Sequence, residues 1–104
     1  MKINLNQAYL TLNGDPMLDE KGQPFTLKNA AIRAYSGDFP DEPKPTAEEA
    51  HRRYHFSLDI RNAGETIDVN IEQLARIKQT ITKMFGIVIA GQTWDMLENE
   101  KTED

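Results

Sequence analysis

The chain has 104 residues, 38% of them apolar, with a formal net charge of −5 at pH 7 and no cysteine. That length holds one domain around one small core, and the missing cysteines exclude disulfides, thiolate metal sites, iron–sulfur clusters and thiol catalysis. The acidic balance disfavours broad contact with phosphate backbones.

Residues 1–25 predict a hairpin region. Asn13-Gly14-Asp15-Pro16 is a turn signal between Tyr9–Leu12 and Met17-Leu18, and Glu20–Pro24 breaks the chain again. A lone hairpin is marginal in water, so this one is expected to lie on helices or to gain a third strand. Thr26 then suits a helix N-cap, and Leu27, Ala30, Ala31, Ala34 and Tyr35 share one helical face whose small side chains favour close approach. Gly37 reads as the stop. Residues 37–45 carry Pro40, Pro43 and Pro45 and predict an extended linker loop, with Phe39 placed to pin it to the body.

Thr46-Ala47-Glu48-Glu49 fits a capping box. Beyond it, Tyr54, Phe56, Leu58 and Ile60 alternate with polar residues as in a strand, with Asn62–Glu65 as a turn into Thr66–Val69. The cap favours one helix to about Arg61, ended by Gly64. Asn70 to Gln73 is a second capping-box start, and Ile71, Leu74, Ile77, Ile81, Met84 and Phe85 keep helical spacing until Gly86. A last helix is expected to carry Ile87, Ala90, Trp94 and Leu97 on one face, followed by a charged tail over 99–104. No internal repeat stands out. The expectation is one α+β domain over 1–98, with three to four helices and a small N-terminal β-hairpin.

His51 and His55 lie four apart, so both imidazoles project from one helical face with Glu48 near the same line. A metal site needs a third ligand, and Arg52 and Arg53 oppose a dication, so a solvated face is expected. Gly86 to Thr93 echoes a phosphate-binding loop, but Gln92 stands where the lysine belongs. Arg76, Lys78 and Lys83 on one helix, with Arg52, Arg53 and Arg61 on another, define a candidate basic patch, although Glu72 and Arg76 also form an ordinary helical pair. Trp94 has the spacing of a core residue, with an interface anchor as the other role. Ser36 and Ser57 are the only serines. No catalytic residue, cofactor or metal site is therefore expected, and the protein is not expected to be an enzyme.

The opening Met1–Asn6 has no apolar run of signal-peptide length, and Ile87–Ala90, the longest apolar stretch, is far too short to span a bilayer. Cytoplasmic residence and no membrane partner are expected.

Several segments resemble small proteins encoded by tailed bacteriophages and prophages. They are Leu10–Pro16, Phe25–Leu27, Arg53-Tyr54, Leu58–Ile60, Ile67–Val69, Ile71–Lys78 and Val88–Glu98. The resemblance covers most of the chain outside 37–45 and rests on packing patterns. It implies a protein of the host cytoplasm that works by binding another protein, with no catalytic residues to carry over. The expected role is a virion-assembly accessory or a host-factor binder. Its contact surface is expected around Trp94, Met96 or Tyr54, and homo-oligomerisation is an extension of the same patch. The alternative is a nucleic-acid-binding regulator that uses the basic helix faces.

Overall fold

The computed structural model describes residues 1–103, with side chains for 1–98; the side chains of the expected charged tail, 99–104, lie outside the described residues. The elements are β1 (Lys2–Asn4), α1 (Leu27–Tyr35), α2 (Ala47–Asn62), β2 (Thr66–Asp68), α3 (Ile71–Met84) and α4 (Ile87–Glu103). The class is α+β, four helices with a small antiparallel β component, as the sequence predicts.

β1 and β2 pair antiparallel with Ile3 opposite Ile67. Met1 extends the ladder: its ammonium donates to the Val69 carbonyl at 2.9 Å, and the Val69 amide donates back at 2.7 Å. Thr66–Val69 is thus extended, but it pairs with the N-terminus because Tyr54 to Ile60 is helix. Phe56 and Ile60, one turn apart, are the buried apolar residues of α2, and Tyr54 stands outside.

Between β1 and α1 the chain forms two successive tight turns, and these correct the expectation of no internal repeat. Tyr9-Leu-Thr-Leu-Asn-Gly14-Asp-Pro16 is followed by Met17-Leu-Asp-Glu-Lys-Gly22-Gln-Pro24 and then Phe25. The leading residues close a ring of backbone hydrogen bonds: Met17 N to Tyr9 O (2.9 Å), Phe25 N to Met17 O (2.8 Å) and Tyr9 N to Phe25 O (3.0 Å). Each turn is shut by the third residue of its unit. Thr11 Oγ1 accepts from Asp15 N, and the Asp19 carboxylate accepts from Lys21 N and Gln23 N. Gly14 and Gly22 adopt φ of +90° and +78°, where a Cβ is disfavoured. Pro16 and Pro24 face Leu10 and Leu18 across the isolated bridges, at positions that call for no ladder N–H.

The helical caps follow the sequence with two differences, the first being that Thr26 holds the N-cap position of α1 without a side-chain capping bond. Asn70 and Gln73 exchange both capping bonds, at 2.7 and 2.9 Å. At α2, Thr46 accepts from Glu49 N at 3.2 Å, but the Glu49 carboxylate turns to Arg52 and Arg53, so that box is half formed.

α1 is the central helix. Its face Leu27, Ala30, Ala31, Ala34 and Tyr35 is buried, and its alanines let α2 and α3 pack against it. α3 buries Leu74, Ile77, Thr80 and Ile81 and packs on α4, which also meets β1. α4 departs from the predicted face. Among the residues whose side chains are described, Thr93 and Leu97 are buried and Ile89 is half-buried, whereas Ile87 and Trp94 face outward. Trp94 is therefore a surface residue: Thr93, one position earlier, takes the core side of the helix through its bonds to Tyr9 and Ile89, and the neighbouring indole is turned to Thr82 and Lys78 on α3.

Candidate functional surfaces

The first surface is built where α4 meets the first turn unit. Thr93 Oγ1 donates to Ile89 O and meets the Tyr9 hydroxyl at 2.7 Å in the core; burial pushes the Tyr9 phenol up to about 12. Above this pair, Gln92 clasps the backbone of Leu10. Its Oε1 accepts from Leu10 N at 2.9 Å, and its Nε2 donates to Leu10 O at 2.7 Å and to Val88 O at 3.0 Å. The side chain thus acts as a short strand partner and joins the turn unit rigidly to the start of α4. The turn units and α4 also carry large apolar side chains that the fold does not cover: Leu12 is 89% exposed and Leu18 62% on the turns, Ile87 90% and Trp94 46% on α4. The Trp94 Nε1 donates to Thr82 Oγ1 at 3.2 Å, and Lys78 Nζ sits 4.7 Å from its ring centroid, so the indole is held in place.

Of the three residues expected at a contact surface, Trp94 is exposed on α4. Met96 is half-buried against the core, and Tyr54 is exposed on α2, which packs on α1. The fold does not gather them into one patch. Gln92 carried no local signal for its role, because its clasp on Leu10 spans 82 residues of sequence.

The six candidate basic residues do not form a free stripe. Arg76 is bidentate to Glu42, at 2.9 and 2.8 Å. Lys83 bonds Glu42 and also meets Asp41 at 3.0 Å. Lys78 meets Glu98 at 2.5 Å, Arg52 and Arg53 share Glu49, and Arg61 stands exposed near the end of α2. The 37–45 segment is therefore a strap fixed to α3. Phe39 lies beneath the Arg76 and Lys83 cations at 5.9 and 5.5 Å. Hydrogen bonds from Arg76 and Lys83 hold the Glu42 carboxyl down to about 2.

His51 and His55 project together as expected, with ring centroids 4.4 Å apart. They border an open groove with Glu48 and Asp59. Among the described residues no group of three or more histidine, aspartate or glutamate side chains is placed to hold a metal. The glycine pair echoing a phosphate loop lies at and within α4, and Thr93 is turned into the core. No helix among the described residues is long and apolar enough to cross a membrane.

No family model matches the chain, and no curated protein or solved structure matches it either.

Proposed function

We propose that the protein acts without catalysis, by binding another protein through the face formed by its two N-terminal turns and the start of α4. The observation that carries this reading is the exposure of Leu12, Leu18, Ile87 and Trp94 on the turns and on α4, two parts of the fold that the Gln92 clasp on Leu10 joins. Burying one such side chain gains roughly 1.5–3 kcal/mol, and a preordered scaffold loses little entropy on docking. The resemblance of the sequence to phage and prophage proteins supplies the setting, in which the partner is a virion component or a host factor. A second copy of the chain is the other occupant that the same face admits.

Affinity capture from infected or lysogenic cells, with and without nuclease, tests the reading. A stoichiometric protein partner that survives nuclease is the expected result. Recovery of nucleic acid, or of partners lost on nuclease treatment, contradicts it and favours a nucleic-acid regulator instead. The internal pairing of Arg76, Lys78 and Lys83 argues against that outcome.

A further inference from the structure

We infer that the cleft between the strap and α2 is a binding site for a small apolar carboxylate, read by the terminal nitrogens of Arg53. Two adjoining cavities, of about 260 and 170 Å³, share Gly37, Asp38, Pro45 and Arg53 in their walls. Phe39 lines the first, and Tyr35 and Tyr54 line the second. Arg53 uses only its Nε within the protein, donating to Glu49 at 3.3 Å; its two terminal nitrogens make no hydrogen bond among the described residues. Its side chain is only 22% exposed, so these donors are part-desolvated, on a wall that also carries prolines and aromatic rings. The Tyr35 hydroxyl on the same wall also makes no hydrogen bond among the described residues, while burial pushes its phenol above the ordinary value.

The chemistry selects the ligand. A guanidinium offers two parallel donors that match the two oxygens of a carboxylate. A phosphate dianion gathers several cations; here Arg76 and Lys83 are already taken by Glu42, and among the wall residues only Lys44 joins Arg53, against the acidic residues Asp38 and Glu42. A monoanion is repelled less by Asp38. The proline and aromatic walls favour a ring or branched aliphatic body on that carboxylate. Each cavity alone lies below the roughly 300–1,000 Å³ of sites for drug-sized ligands, which keeps the ligand small. This site lies on α2 and the strap, and it stands or falls separately from the protein-binding face.

Titration of the ¹⁵N-labelled protein with benzoate, benzamide and inorganic phosphate tests it, read in the amide and arginine Nε signals. Benzoate is expected to shift Gly37, Asp38 and the Arg53 Nε saturably, in the low-millimolar range. Benzamide and phosphate are expected to produce no saturable shift. Arg53→Gln is expected to weaken benzoate by about tenfold or more. Arg53→Lys, which keeps the charge and loses the fork, is expected to weaken it severalfold, and the remote Arg61→Ala to leave it unchanged. The spectrum of each variant reports its fold, and Arg53→Lys carries the test if Arg53→Gln unfolds. The inference is overturned by non-saturating benzoate shifts, by benzamide or phosphate matching benzoate, or by unchanged benzoate binding in the folded Arg53 variants.

Discussion

Glu42 concentrates the residue-scale electrostatics of the fold. Its carboxylate accepts from both terminal nitrogens of Arg76 and from Lys83, and these bonds lower its pKa from 4.5 to about 2. A carboxyl with a depressed folded pKa contributes stability that is fully present above its unfolded value and is lost as pH falls through the folded one. The strap contact should therefore weaken between about pH 4.5 and 2. Glu42→Gln is expected to cost about 1 kcal/mol at pH 7, discounted for solvent screening at this part-exposed pair, and to flatten that acid dependence. Urea denaturation of both proteins at pH 7 and pH 3 checks it, and an equal deficit at both would contradict it. Tyr9→Phe removes the hydroxyl bonded to Thr93, which keeps its bond to Ile89. It should cost about 1 kcal/mol, measurable in the same assay. Neither Glu42 nor Tyr9 was legible as a key residue in the sequence. Their partners lie 34 and 84 residues away, and local pattern carries no information about such pairings.

At the scale of elements, glycine substitutions separate the roles of individual turns and helices. Gly14 and Gly22 have open space where a Cβ would stand, so any penalty there comes from their positive φ. Gly14→Ala and Gly22→Ala should each destabilise by about 1 kcal/mol. Gly91 lies within α4 and also has open space, so Gly91→Ala should stabilise by up to about 1 kcal/mol. Thermal denaturation of the three variants reads the opposite signs. α1 and α3 were legible because their apolar residues keep a helical period, and the start of α3 carries a full capping box. The alternation Tyr54, Phe56, Leu58, Ile60 mimicked a strand within α2, and the upstream cap at Thr46 favoured the correct form. The tandem turns escaped notice because only leucine, glycine and proline repeat in identity. Tyr9, Met17 and Phe25 are equivalent in packing, and Thr11 and Asp19 in hydrogen bonding. On α4 the bulk of Trp94 outweighed Thr93 in the hydrophobic pattern, although the smaller threonine has the buried place and a tyrosine to bond there.

For the whole molecule, the ends of the described chain carry as much of the architecture as the helices. The N-terminal strand closes on β2, the turn units pack Tyr9 and Phe25 into the core, with Phe25 also meeting Phe85, and α4 clasps the first unit through Gln92. Gln92 and Thr93 thus fix the first turn unit to α4, and the exposed Leu12 and Ile87 stand on those two joined elements. The proposed protein-binding role needs apolar side chains that are fixed and uncovered in this way. Leu12 and Ile87 are almost fully exposed, so charged replacements there leave the core intact and change only what the face can bind. The most direct measurement is nuclease-treated capture from infected cells with the wild type, a Leu12→Asp/Ile87→Asp variant and Tyr54→Ala in parallel. We expect the partner to be lost with the double variant and kept with Tyr54→Ala. A partner captured equally by wild type and double variant would contradict the assignment of this face.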